Sequence, residues 1–515
     1  MPPGIREGEK GAVAQGHEIV DGDLIGQTES SFQGPKSREG EWSMETKRAM
    51  AWLEENRHRL IELSDFIWEA AEVGLLEERS AQAQIELLEG EGFRVKQGIA
   101  GMPTAFVAEW GQGAPVLAYL GEYDALPGLS QSTSPQKEPL RVGAPGHGCG
   151  HNLLGTAALG AALAVKAQME EEGIPGTVRY FGCPAEETLV GKVFMVRDGY
   201  FDDVDVVLDW HPGAINAARN NSSNAMNSAR FRFHGKTAHA GGDPHNGRSA
   251  LDAVELMNVA ANYLREHIVE KARLHYVITD GGGEPNVVPA HAAVWYYVRA
   301  PQRGQVDEIY ERLCKIAQGA CLMTETSFDV ELLSACYNIL PNKTLTRLLH
   351  EHLLKVGPNC WEEEELEFAR VLNESFEPGQ KDASLEALGA PDELKEQLIN
   401  DTILPWDEDT TPGGGSTDVG DVSWVCPTGR MSVATGVLGQ PGHSWQFAAC
   451  SGMSIGHKGM LMASRVLAGA GLELLSDPTL REKARAEWGE RTADRPYQSP
   501  LEPDQKPPLD QLKGH

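Results

Sequence analysis

The amino-acid sequence predicts an α/β fold: a catalytic domain with a mostly parallel central sheet, interrupted by a smaller α+β domain. Three observations carry this expectation. Apolar strand-like runs alternate with helix-period segments, the pattern that lays helices on the faces of a parallel sheet. The runs VLAYL (116–120), TVRYF and VDVVLDW each stop at a polar cluster, GEYDALPG, GCPAEE and His211 respectively. From about Ser223 the chain changes to longer strand-like segments with two amphipathic helices, and this block ends near Tyr337.

The elements follow in order. A first helix is expected from near Met44, because Trp52, Leu53, Leu60, Leu63 and Ile67 recur at spacings that bury one face. After the VLAYL strand, a helix is expected from near His151 through NLLGTAALGAALAVKAQME, and the TVRYF and VDVVLDW strands follow. In the interrupting block ARFRFHG and NVVPAHAAVWYYV read as strands, while LDAVELMNVAANYLREHI and VDEIYERLCKIAQ read as helices in a βαβ–βαβ-like arrangement. Helices near Leu345 to Val356 and Gly456 to Ala470 return the chain to the first domain. The expected organisation is a flexible tail over 1–44, catalytic segments over 45–222 and 338–480, the interrupting domain over 223–337 and a second flexible tail over 481–515. Both tails are poor in large apolar residues and offer little burial to offset ordering.

With 515 residues the chain is too long for one compact core. Its 75 acidic against 45 basic residues, a formal charge of -30, repel phosphate backbones and anionic bilayers and argue against nucleic-acid and membrane partners. The start, MPPGIREGEKGAVAQGHEIVDG, lacks the apolar stretch of a secretory leader or anchor, so a cytoplasmic location is expected. Eight cysteines without framework spacing are expected to be thiols, free to ligate metal. The acidic run 362–365, within an insertion over about 357–406, reads as solvated surface.

In a parallel sheet the carboxyl ends of the strands share one edge, so polar clusters distant in sequence can converge there. GHGCGHN places Cys149 and His151 two apart at a loop entering a helix, a thiolate–imidazole pair that suits zinc, cobalt or manganese. Alone, this pair reads equally well as a buried cysteine beside a helix-start histidine. CPAEE supplies Glu186 and Glu187, one able to bind metal while the other takes a proton from an activated water. His211 ends the third strand, and PGHSW carries His443 on a Gly-rich loop. Cys149, His151, Glu187, His211 and His443 make enough ligands for two divalent ions, leaving Glu186 as the candidate base.

The segments GEYDALPG, HGCGHN, GCPAEE, DWHP, GKTAHAGGDPHNGRSALDAVELMNVAANYLREHI, GGGEPNVVP, GSTDVGDVSW and GQPGHSW resemble, in this order, the metallo-aminoacylase and carboxypeptidase family in its amidohydrolase branch. The resemblance extends from about Trp52 to Ala470. It implies a zinc-peptidase-like catalytic domain interrupted by a dimerisation or lid domain, two zinc or manganese ions on the five ligands named above, and Glu186 as catalytic base. It further implies that His239 of GKTAHAGG stabilises the oxyanion, often from a partner subunit, and that Arg248 and Asn286 bind the substrate's carboxylate or carbonyl. The implied reaction is hydrolysis of the amide between an acyl group and an amino acid, with p-aminobenzoyl-glutamate or a related N-acyl amino acid as substrate. A dipeptidase of the same mechanism and a partner-dependent or non-catalytic subunit are the alternatives. A homodimer, or a hetero-oligomer with a paralogous subunit, is the implied assembly. Two positions depart from the broader pattern: Asn152 replaces an aspartate, and Glu122 replaces a histidine two before Asp124. Asp124 is accordingly expected to orient a ligand, and Glu122 is unassigned.

Overall fold

A computed structural model describes residues 46–509, so the tail expected over 1–44 lies outside the described residues. The strands in chain order are β1 (Arg94–Gln97), β2 (Phe106–Gln112), β3 (Val116–Glu122), β4 (Gly176–Cys183), β5 (Val206–Gly213) and β6 (Ala217–Ala218). They continue with β7 (Ala225–His234), β8 (Arg273–Asp280), β9 (His291–Ala300), β10 (Ser327–Cys336) and β11 (Thr428–Ala434). One sheet runs β1-β2-β4-β3-β5-β11-β6, with β4, β3, β5 and β11 mutually parallel and the margins antiparallel. The fold class is the one the sequence predicts. Every residue of β3 is buried, because helices cover both faces of the central strands; this is why these strands are continuous apolar runs.

Helix His151–Glu172 lies on this sheet, buried along most of its length, with glycines where it approaches its neighbours. A Cβ on Gly155 would stand 2.5 Å from the Glu122 carbonyl oxygen, and one on Gly160 would stand 3.2 Å from Ser464 Oγ. The second contact comes from helix Ser454–Ser476, whose Ser464 Oγ donates to the Ala157 carbonyl at 3.1 Å. That helix is long and apolar enough to cross a bilayer, but its apolar window is 83% buried inside the fold, which makes it a core helix.

The second sheet runs β10-β7-β9-β8, with antiparallel pairing throughout. Helices Ala250–Leu264 and Arg303–Thr324 pack Met257 and Leu313 against Phe231, Phe233, Val294 and Tyr296 of this sheet. The chain order strand–helix–strand–strand–helix–strand forms a separate α+β layer, entered after β6 and left at Cys336.

One expectation is corrected. Residues 481–509 are not a loose tail: Arg481 lies in helix Pro478–Thr492, capped by the Asp477 carboxylate, which accepts from Thr479 N and Leu480 N. Beyond it Tyr497 donates to Asp421 Oδ1 at 2.7 Å, and Leu501 is buried. Specific hydrogen bonds and a few large side chains fasten a segment whose composition is too polar to signal burial.

The close approach at Gly155 sets the distance between β3 and the helix that starts with His151. Gly155→Ala is expected to lower the free energy of unfolding by about 1–3 kcal/mol, read from denaturant titration; unchanged stability would contradict this packing.

Candidate metal centre

The parallel strands bring the polar clusters to one edge. His151 opens its helix just after Gly150, where φ is +76°; the chain turns sharply there and places Cys149 and His151 side by side. Asp124, two residues past β3, accepts from His151 Nδ1 at 2.8 Å, and its own carbonyl lies 3.1 Å from the same nitrogen. Two acceptors at Nδ1 hold a proton there and aim Nε2 at the ligand cluster; burial opposes a charge on the ring, but Cys149 and Asp124 outweigh it, so a cation would bind at Nε2 by displacing its proton. The other Asp124 oxygen accepts from Glu187 N at 3.0 Å, as expected of an orienting group.

The turn after β4 is strained. Ala185 has φ +55°, held by its N–H donating to Glu77 Oε1 at 2.8 Å. Glu77 is fully buried, and burial followed by the charge of Asp124 pushes its carboxyl up to about 8. This turn brings Glu186 to His151 and Glu187 to His443. His211, at the end of β5, has Nδ1 2.7 Å from the Pro212 carbonyl, which leaves Nε2 free 3.5 Å from Cys149 Sγ. His443 also has a left-handed backbone, φ +53°, and its Nε2 is 3.2 Å from Glu187 Oε2.

Three candidate triads result, one of them Glu122, His151 and Glu186, and two drawn from the five predicted ligands. The donor atoms of Cys149, His151 and His211 lie within 4.8 Å of one another, and so do those of Cys149, Glu187 and His443. Cys149 belongs to both. His151 Nε2 and Glu187 Oε1 are buried without hydrogen-bond partners, an arrangement that costs about 1–3 kcal/mol per group unless something fills the space. Burial and then Glu187 push the Cys149 thiol up to about 12, whereas a divalent cation would hold it as thiolate. Burial brings His211 down to about 4, and burial followed by the charges of His151 and Arg299 lowers His443, so both imidazoles stay neutral, as ligands must. The donor set fits two divalent ions.

Glu186 Oε2 stands 3.9 Å from His151 Nε2. Burial first, then the charges of Glu122, Asp418 and Glu187, raise its carboxyl well above the usual range, the direction a general base requires. Behind it lies a cluster in which Glu122 of GEYDALPG and Asp418 of GSTDVGDVSW meet Lys192, which no quoted motif contains. Lys192 Nζ is 2.7 Å from Glu122 Oε1 and 2.6 Å from Asp418 Oδ1, all three buried. Glu122 Oε2 in turn faces His151 Nε2 at 3.3 Å. Burial disfavours the lysine's charge, but Asp418 and Glu122 outweigh it and keep Lys192 protonated. A lysine within the buried Gly191–Val196 stretch of the GKVFMVR helix is a trace this cluster leaves in the sequence.

A cavity of about 370 Å³ opens on the ligands and is lined by Cys149, Glu186, Glu187, His211, His443, Tyr297, Arg299 and Arg430 among others. His239, Arg248 and Asn286 do not line it. All three sit on loops of the smaller domain. His239 is exposed, with Nδ1 accepting from Gly241 N and Gly242 N at 3.1 and 3.0 Å, which leaves Nε2–H outward. Arg248 is tied to Glu325 at 2.8 Å. Asn286 is exposed, its carbonyl accepting from Ala240 N. Within one chain the cation that faces the ligands from this domain is Arg299 of β9, not Arg248. Its Nε is buried without a partner, and the group lies 5.6 Å over the Tyr297 ring.

Comparison with known proteins bears on the family and the fold. Residues 221–322 match the model of the peptidase dimerisation domain. Over 460 residues the chain is 43% identical to one of the subunits of p-aminobenzoyl-glutamate hydrolase from Escherichia coli (strain K12), covering 87% of this chain and 96% of that one. It is 30% identical to the Xaa-Arg dipeptidase of Mus musculus, over 86% and 91% of the two chains. Its fold superimposes with a TM-score of 0.57 on an aminobenzoyl-glutamate utilization protein from Klebsiella pneumoniae, at 19% identity over 82% of this chain and 97% of that one.

Removing Lys192 leaves two buried carboxylates facing each other. Lys192→Met is expected to cost about 3–5 kcal/mol of stability, measured by denaturant unfolding, and a loss under about 1 kcal/mol would show that the cluster carries no charge. The ordered motifs, the two-domain fold and these relatives place the chain in the metallo-aminoacylase and carboxypeptidase (M20) family of metal-dependent amide hydrolases.

Proposed function

We propose that the chain hydrolyses the amide bond between an acyl group and an amino acid, with p-aminobenzoyl-glutamate or a related N-acyl amino acid as substrate. One observation carries the reading: Glu186 stands free of ion pairing to any lysine or arginine among the described residues, at the mouth of two ligand triads that share Cys149. Cys149, His151, Glu187, His211 and His443 would hold two divalent ions, zinc or manganese, which when bound polarise a carbonyl and acidify water.

Glu186 then takes the proton of the attacking water and returns it to the leaving amine. Arg299, unpartnered at Nε, offers charge-assisted hydrogen bonds to the substrate's carboxylate. His239, with Nε2–H outward, is suited to donate to the oxyanion of a neighbouring subunit's substrate, with Arg248 and Asn286 on the same domain. The assembly that would allow this is a dimer of this chain or a pairing with a paralogous subunit. Exposed Val259, Tyr263, Leu322 and Met323 on the two helices of the smaller domain support such a contact. Eight unpaired thiols support a reducing, cytoplasmic setting.

A purely binding role would leave Glu186 without purpose. In the metal-loaded protein Glu186→Gln is expected to lower kcat on N-acyl amino acids about 100- to 10,000-fold with metal content unchanged. Wild-type turnover in that variant would remove Glu186 as the base.

A further inference from the structure

A second cavity, of about 410 Å³, adjoins the first: His211, Asn221 and Arg430 line both. Its wall holds two guanidinium groups, Arg219 and Arg430, and no aspartate or glutamate, in a chain of formal charge -30. Arg219, one residue past β6, donates its N–H to the Arg430 carbonyl of β11 at 2.8 Å, which brings the two arginines together at the sheet edge. Like charges in that position destabilise a sheet.

Structure alone explains one of them. Arg430 Nε donates to buried Asp209 Oδ2 at 2.8 Å, which anchors its stem while its terminal amino groups have no partner among the described residues. Arg219 is half-buried and has no ion-pair or side-chain hydrogen-bond partner among the described residues; Asp407 attracts it only from a distance. Burial and then Arg430 bring it down to about 10, so it remains a cation at neutral pH. Ser384 and Leu388, from helix Gln380–Ala387 and its C-cap, close the cavity. They belong to the acidic insertion, whose sequence points to no chemistry, and the insertion turns neutral residues toward this pocket.

We propose that this side pocket receives the side-chain carboxylate of an acidic amino-acid moiety, gripped by Arg219 and Arg430 and covered by the insertion. The proposal rests on the amide-hydrolase reading and adds that the substrate carries two carboxylates, one for each of the two cationic walls around the ligands. The same wall repels a lysine or arginine side chain.

The test compares p-aminobenzoyl-glutamate with p-aminobenzoyl-glutamine, which differ only in the side-chain charge, by calorimetric binding to the full metal-free chain. Wild-type protein is expected to bind the glutamate compound at least about tenfold more tightly, as a desolvated charge-assisted pair implies. Arg219→Gln is expected to erase that preference while leaving affinity for the glutamine compound within about twofold, and Arg219→Lys is expected to restore part of it. No preference in the wild type, binding of neither compound, or equal weakening of both in Arg219→Gln would overturn the subsite. A preserved glutamate preference without hydrolysis by the metal-loaded chain would instead count against the catalytic reading and leave the pocket standing.

Discussion

The Asp124 carboxylate ties together two segments that the parallel strands bring to one edge. One oxygen holds the Nδ1–H of His151 at the start of a helix, and the other holds the N–H of Glu187 in the turn after β4. Because Asp124 is itself fixed at the end of a buried central strand, both ligands inherit the position of the sheet. Glu77 does the same for the strained turn at Ala185, and the left-handed backbone at His443 completes the set. Strain of this kind persists where surrounding structure over-determines it.

The charge balance around the centre follows from that rigidity. Glu122, Asp418 and Lys192 form a buried group in which both acids share one cation, and the remaining Glu122 oxygen faces His151. Glu122 therefore meets His151 as a carboxylate compensated from behind by lysine. The carboxylates and thiol facing the cavity, Glu186, Glu187 and Cys149, are left short of cations, and that deficit is what divalent ions would supply.

Much of this is legible in the sequence because central parallel strands advertise themselves as continuous apolar runs and because ligands follow directly at their ends. Cys149, His151, Glu186, Glu187 and His211 come together at one sheet edge, and Asp124 bonds to His151 and to the Glu187 N–H. Less is legible where spacing carries no signal. Arg219, Arg299 and Arg430 look like ordinary solvated arginines until the cross-strand register sets them around a cavity. Glu77 and Lys192 act from behind the ligands, through contacts no periodicity encodes. Helix Pro478–Thr492 is hidden by its polarity, since its attachment depends on a cap and a few hydrogen bonds rather than an apolar stripe.

The proposed metal centre rests on one sulfur atom that belongs to two candidate ligand triads. Its most direct test is metal stoichiometry by native mass spectrometry of the full chain titrated with zinc or manganese, comparing wild type with Cys149→Ser. A shared centre predicts two ions per wild-type chain and fewer than two, with weaker retention, in the variant. One ion in the wild type, or two held equally well without the thiolate, would contradict a shared two-metal centre.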